Sequence, residues 1–532
     1  MIPFFRWISL SVCLLCHPVL AQQSPVQSIP LTAHETLGGL VQLANGNTVL
    51  FLSNSQSPDV RVQALQPNGQ TAWQANLIRF QQVELDELRN TPKNASLNRK
   101  MEAYSGTLNP VEICSSGDNV YAIEVVRENV AQKQGKTGSL KAGQIMLQHL
   151  DGAGKLSKVS FMAPTTAKFA ERKHLGWFGE GLIVYHVAAD YNDREGTIKY
   201  FVEQYDIATR VFKRLPLDLP ATPERTKMNV YYNDWGYLGH RPGQTYLFRR
   251  LRGHAKQDRF AKMPVEYQVL IVNNAGATTG GFTTTLNLEA DTKAAYSSYF
   301  MPQLQEQQHV PRMQQRGREI IDEYRASTGG IGNFYLDYAT GDVLIYGEFS
   351  REDTWGDFAG LFMRRYTAAG EVVQQTQFAY SKDMIKKHDK AFNGLALLGA
   401  LRSFSFSRDP LSHDYEFVFA KSGLMGKGPG QFHVRFNSDM QFQTYSFLED
   451  EPELHVTFVK PTWLYSGTKP EERFLPGSLS KQHAAYAQVA SLAKLLKKDE
   501  HEYFLAPKST GGALLVERQA LLGGNLNVYT LQ

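Results

Sequence analysis

Two groups of residues in this 532-residue chain have the types and spacing to do chemistry. The first is a run of cations, Arg249, Arg250, Arg252, Lys256, Arg259 and Lys262, opposed within that stretch only by Asp258. Lys133, Lys136 and Lys141 form a second cationic stretch, and Lys421 and Lys427 a third. Cations gathered on one surface concentrate anionic partners. Any one stretch alone is equally well a solvated loop, so the reading depends on the three sharing a face. The second group is scattered: Glu112, His174, Asp234 with Trp235, Asn333, Arg402 and His483. Acid, base and aromatic platform would support general acid–base work if they met around one ligand. Separately, each suits a strand end that holds water.

Other motifs are excluded or weak. The stretch Asp190–Gly196 (DYNDREG) offers oxygen ligands for calcium, but lacks the EF-hand spacing and reads as a polar surface loop. The histidines form no HxxxH or HExxH pair, so zinc is not supported. No GxSxG, Walker or dinucleotide motif occurs, and no cofactor is implied. Asn94-Ala95-Ser96 is a formal glycosylation sequon, relevant only in a eukaryotic secretory pathway. Cys114 lies in the apolar run VEICSS and reads as a small core residue.

The elements that must position these residues are strands. From Gly332 to Phe378 the chain reads GNFYLDYATG, DVLIYGEFS, a polar break, GLFMRRYTAAG and EVVQQTQF. Val343, Ile345 and Gly347 alternate with Leu344, Tyr346 and Glu348 in runs rich in aromatic and β-branched residues, which read as strands, and the turns ATGD and AAGE place Gly where positive φ is needed. Four strands joined in this way make one propeller blade, which cannot bury both faces alone and does so by stacking in a ring. Diverged copies run over Gly38–Leu77, Pro110–Phe161, His174–Leu217, Asp234–Leu288, Leu401–Leu448 and Ala484–Gln532. The expected fold is therefore all-β, a β-propeller over residues 36–532. Seven four-stranded blades fit the count best, with six or eight also compatible. Partly helical inserts are expected at 289–324, 381–398 and 449–481, and AYAQVASLAKLLKK near Ala484 also has helical spacing.

The repeat is asymmetric. Turns between strands 1 and 2 and between strands 3 and 4 are short, whereas strand 2–3 loops and blade-to-blade links carry nearly all the extra length. In a propeller the two sets lie on opposite faces, so the long-loop face is the expected working face. The basic stretches fall on it, and the first strands, which line the channel, begin at it.

The N-terminus, MIPFFRWISLSVCLLCHPVLAQQ, has the form of a secretory signal: Arg6, the apolar run Ile8–Leu15 and a small-residue site at Val19-Leu20-Ala21. Residues 1–21 are thus expected to be removed, 22–35 to form a leader or edge strand, and the protein to be periplasmic or extracellular. Cleavage would leave Cys114 as the one cysteine, which excludes an intramolecular disulfide. The formal net charge of +4 is too small to suggest nucleic acid. No later segment is apolar for long enough to span a bilayer.

Ala64–Trp73 (ALQPNGQTAW) resembles the turn-plus-tryptophan of quinoprotein propellers and, more faintly, the sialidase Asp-box, but it occurs only once with Trp, and Trp73 reads as packing. Over residues 36–532 the chain resembles exported bacterial β-propeller proteins of uncharacterised function. That likeness is one of architecture, since the WD dipeptide, the kelch double glycine and a repeated Asp-box are missing. It implies no site residues. Two functional expectations follow. One is a monomeric binding or scaffold module that holds an anionic polysaccharide or envelope protein at its long-loop face. The other is a carbohydrate-active enzyme, a lyase or hydrolase, working at the channel mouth with His174, His483, Asp234 or Glu112.

Overall fold

In the computed structural model, residues 24–33, 35–54, 60–77, 111–126, 143–162, 170–192, 197–220, 235–251, 265–286, 333–350, 358–384, 386, 402–409, 412–421, 431–447, 454–458, 476–479, 501–508, 512–519 and 524–531 are described. Strand β1 (Gln27–Leu31) precedes the first blade, which is β2 (Glu35–Gln42), β3 (Thr48–Asn54), β4 (Val60–Leu65) and β5 (Thr71–Leu77). Blade 2 is β6 (Val111–Ser116), β7 (Asn119–Val125), β8 (Gln144–Leu150) and β9 (Leu156–Met162). Blade 3 is β10 (Ala170–Glu180), β11 (Ile183–Asn192), β12 (Thr197–Asp206) and β13 (Phe212–Leu217). Blade 4 is β14 (Gly236–Arg241), β15 (Gln244–Leu251), β16 (Val265–Asn273) and β17 (Thr278–Leu286). Blade 5 is β18 (Asn333–Leu336), β19 (Val343–Ser350), β20 (Phe358–Tyr366) and β21 (Val372–Ala379). Blade 6 is β22 (Arg402–Arg408), β23 (Tyr415–Lys421), β24 (Gln431–Phe436) and β25 (Phe442–Phe447). Each of these six is an antiparallel four-stranded meander.

The seventh blade departs from the sequence-based expectation. Its strands are β28 (His501–Pro507), β29 (Ala513–Gln519) and β30 (Gly524–Leu531), and its fourth, outer strand is β1, paired antiparallel with β30 from Gln27↔Val528 to Leu31↔Gly524. The expected lone edge strand thus closes the ring, and the C-terminal strand is third rather than fourth in its blade. The physical reason is that hydrogen-bonding the N-terminal strand to the C-terminal one ties the first and last parts of the chain into a single blade and so locks the ring shut. The stretch expected as the first strand, from Ala484, lies outside the described residues. In the 449–481 insert the described residues form strands rather than helix, β26 (Leu454–Phe458) and β27 (Pro476–Leu479), paired as a hairpin. Strand β26 joins the inner edge of β28 in parallel, at Thr457↔Phe504 and Phe458↔Leu505. Of the 381–398 insert, residues 382–384 and 386 are helical among those described, and 289–324 lies outside them.

Alternating apolar residues explain how the blades stack. Val49, Phe51 and Val62 of blade 1 pack on Ile113, Val120 and Ala122 of blade 2. Blades 2 and 3 meet through Tyr121, Leu147, Trp177 and Tyr205, and blades 3 and 4 through Val187, Val202, Trp235 and Leu247. Similar clusters join blade 4 to 5 and 5 to 6. Phe504, Leu514 and Val528 of blade 7 pack on Leu37, Leu50 and Leu52 of blade 1. Strand β27 lies beside β22 and β23 of blade 6. The chain is a seven-bladed β-propeller.

The short-turn face is stitched between blades. Trp73 Nε1 donates to Gly152 O at 2.9 Å, and its ring lies where a Cβ on Gly154 would come within 2.6 Å of Cδ2, so that turn (φ +79°) requires glycine. Tyr121 Oη donates to Gly181 O at 3.0 Å, and Arg241 donates to the carbonyl oxygens of Tyr338, Ala339 and Thr340. Trp73 therefore both packs and latches.

Candidate functional site

The face of blade 3 turned towards blade 2 carries a polar row among the apolar residues of that seam. Cross-strand register aligns Trp177 of β10 with His186 of β11, His186 with Glu203 of β12, and Glu203 with Arg214 of β13. The row therefore runs radially, from the channel-lining strand to the outer strand. Side chains at successive cross-strand positions on one face are direct neighbours, so the register alone brings these groups into contact.

Its geometry is that of a hydrogen-bonded chain. His174 Nδ1 lies 2.8 Å from His186 Nε2, and His186 Nδ1 lies 2.9 Å from Glu203 Oε2. Tyr205 Oη donates to the same carboxylate oxygen at 3.0 Å, and Arg214 Nε sits 3.4 Å from Oε1. Arg214 also pairs with Asp190 and lies over the Phe201 ring at 3.6 Å. Glu203 is fully buried (0% exposed) and His186 nearly so (4%), whereas His174 is partly exposed on the innermost strand. The Trp177 indole stacks on His186 with ring centroids 3.9 Å apart and planes 9° from parallel. Burying a carboxylate and an imidazole is costly unless they are paired, and here each has its partner.

Two glycines let β10 hold this arrangement. The strand bulges between His174 and Gly176. A Cβ on Gly176 would lie 2.3 Å from Tyr237 Cδ1 of blade 4, and one on Gly179 would lie 2.4 Å from Tyr121 Cε2 of blade 2. Aromatic rings from both neighbours press on this inner strand, and the bulge re-aims His174 relative to Trp177.

The sequence-nominated residues fall differently. Of that group, His174 belongs to the row. Glu112 stands on β6 opposite Ile123, Asn333 on β18 opposite Tyr346, and Arg402 on β22 opposite Lys421. Asp234, His483, Arg252, Lys256, Arg259 and Lys262 lie outside the described residues, as do the lysines of the other two basic stretches apart from Lys421. Two placements are corrected. Arg249 is not a loop cation: it lies within β15, is 3% exposed, donates to Pro220 O at 3.1 Å and to Gln268, and stands over the Trp235 ring at 4.5 Å. Trp235 is correspondingly 2% exposed and packs between blades 3 and 4 rather than forming an open platform. The guanidinium and indole satisfy one another where the β14 and β15 strands meet blade 3, which removes both from solvent. Arg250 follows on β15, opposite Tyr267.

Sequence reasoning missed His186, Glu203, Tyr205 and Arg214. Their signal was present: His186 and Glu203 occupy positions in LIVYHVAAD and TIKYFVEQYDIAT that share a face with buried Val184 and Tyr205. A titratable residue on the buried face of an alternating strand is the feature to flag. Among the described residues, no group of three or more His, Cys, Asp or Glu side chains is placed to hold a metal ion. Nor, among them, is any helix long and apolar enough to cross a membrane.

No family model matches the chain, and no curated protein matches it. Among solved structures, polysaccharide lyase Uly1 is similar over 96% of this chain and 100% of its own, at 9% identity and a TM-score of 0.34. A mutant of Synechocystis apocarotenoid oxygenase covers 66% of this chain and 62% of its own, at 10% identity and a TM-score of 0.29. The endo-arabinase from Bacteroides thetaiotaomicron covers 61% and 94%, at 8% identity and 0.26. At such identities and scores the likeness concerns fold and no more.

Proposed function

We propose that this is an exported enzyme that acts on an acidic polysaccharide at the long-loop end of its channel, with His174 exchanging a proton with the substrate. One observation carries the reading: a partly exposed imidazole on the channel-lining strand is held by a buried imidazole, which is held in turn by a buried carboxylate. That order of groups is how a general base is oriented and its developing charge compensated. It suits proton abstraction next to a carboxyl group followed by elimination. Two-carboxylate glycoside hydrolysis would need a second acid flanking the bond. The β26–β27 hairpin supports a site closed on one side, since it extends blade 7 towards the axis at the seam half a ring away from blade 3.

The test uses residues 22–532 with a panel of acidic and neutral polysaccharides, following retention at two salt concentrations and unsaturated products in the same tubes. New unsaturated ends from an acidic polymer, lost in His174→Ala with the fold intact, are the expected result. Products that persist in His174→Ala would overturn the assignment of the base. Salt-sensitive retention without products would favour the second reading, a binding module. That reading is supported by the concentration of interstrand chain length at one end of the ring, as in 78–110 and 287–332. Export is tested in the same preparation, by whether the protein recovered from the source cell begins at Gln22.

A further inference from the structure

The hydrogen-bond chain in blade 3 has a direction, and the groups around Glu203 set it. Tyr205 Oη donates to Oε2 at 3.0 Å, and Arg214 Nε approaches Oε1 to 3.4 Å. A carboxylate met by a hydroxyl donor and a guanidinium is an ionised acceptor. His186 Nδ1, 2.9 Å from Oε2, must then carry the hydrogen. If His186 is neutral, its Nε2 has a lone pair, and His174 Nδ1 at 2.8 Å must donate to it. His174 Nε2 is then the acceptor nitrogen of the outermost ring.

We propose that Glu203 locks both imidazoles in the Nδ1–H tautomer, so that His174 Nε2 is the base and a captured proton is held on His186, one ring deeper. Glu203 and His186 are positioning residues, and neither needs to touch substrate. This deepens the functional reading above and rests on it for the consequence in turnover, though not for the tautomers. In the elimination, the substrate C–H proton goes to His174 Nε2. The His174 Nδ1 proton passes to His186 Nε2, giving an imidazolium whose Nδ1–H still faces Glu203. The C–H electron pair becomes the double bond and expels the glycosidic oxygen. That oxygen takes the proton back from His174 Nε2 as His186 returns its own to Nδ1. One C–H and one C–O bond break, one C=C and one O–H bond form, and no co-reactant is consumed. The Trp177 ring stacked at 3.9 Å on His186 faces the ring where the charge is held, an arrangement that favours a cation.

The experiment is nitrogen-15 NMR of the full mature chain labelled at histidine, with the two rings assigned by His174→Gln and His186→Gln. At neutral pH both rings are expected to show a protonated Nδ1 and an unprotonated Nε2. Glu203→Gln is expected to reverse them. Arg214 repels an amide NH2 at the Oε1 side, so the glutamine presents its NH2 to His186 Nδ1, and both rings become Nε2–H. With the base converted to a donor, turnover should fall by ~10²-fold. A wild-type spectrum with hydrogen on His174 Nε2 would overturn the proposal, and it decides the matter even if the variant fails to fold. So would a folded Glu203→Gln protein with unchanged tautomers. If no polysaccharide is turned over, the functional reading fails while the tautomer measurement still stands or falls by itself.

Discussion

Blades 3 and 6 each bury a glutamate and a histidine on their second and third strands, in opposite order, with an arginine beside the glutamate. In blade 3 the histidine is on the second strand and the glutamate on the third, so an imidazole stands between the carboxylate and the channel-lining strand. In blade 6 the glutamate comes first: Glu416 on β23, with His433 and Arg435 on β24. One oxygen, Glu416 Oε1, receives both His433 Nδ1 at 2.9 Å and Arg435 Nε at 3.1 Å. There the carboxylate is closely neutralised, and the imidazole is farther from the axis than its partner. The same three residue types thus make a chain that reaches the channel-lining strand in one blade and a clamp in the other. Strand order, not composition, separates them.

The largest effects should come from breaking the blade 3 chain at its channel end. His174→Ala is expected to lower turnover by ~10²- to 10⁴-fold, the usual worth of a general base, with little change in thermal midpoint. His433→Ala in blade 6 is expected to leave turnover within about twofold and to lower the midpoint instead. Equal losses of turnover would erase the distinction between the blades.

Stability should respond in both blades when the carboxylate is removed. Glu203→Ala and Glu416→Ala each strand buried cationic or imidazole partners, which costs about 3–5 kcal/mol. The two values, read from denaturant unfolding, are expected to be alike even though their effects on turnover differ. A loss near zero at Glu416 would mean that the blade 6 group is not a clamp.

The smallest effect sharpens the comparison from outside both rows. Glu180, at the short-turn face of blade 3, is raised by burial but lowered more by His240 Nε2 at 2.6 Å, the Gly243 N–H and Asn274, so it is held below the ordinary carboxylate value. A carboxyl lowered on folding stabilises the protein above its unfolded value, near 4.5, and loses that contribution as pH falls through the folded one. Unfolding free energies between about pH 6 and pH 3 should therefore drop more steeply in the native protein than in Glu180→Gln, by a difference of ~1 kcal/mol or less. Parallel curves would mean that this latch contributes nothing.

The blades were legible because each is local. Stretches such as DVLIYGEFS and GLFMRRYTAAG are short strand-forming runs with glycine at their turns, and β19 and β20 lie on those runs. The closing blade is not legible in the sequence, because its fourth strand, Gln27–Leu31, is separated from the third by nearly the whole chain. The basic run led to Arg249 because charge suggests exposure. The β15 register instead places it on the face turned to blade 3, with Trp235 and Gln268. His174 was found as a titratable residue at a strand start, but the residues behind it were not.

The sequence by itself determined the class of fold, the repeat and the face where length accumulates, because alternation and turn chemistry act between residues close in the chain. Tertiary structure decided that the N-terminal strand closes the ring, that Arg249 is sealed, and that His174, His186 and Glu203 form one line. Each of these depends on register between strands or packing between blades. A shift of one residue in β11 or β12 would turn His186 or Glu203 to the opposite face and dissolve the row.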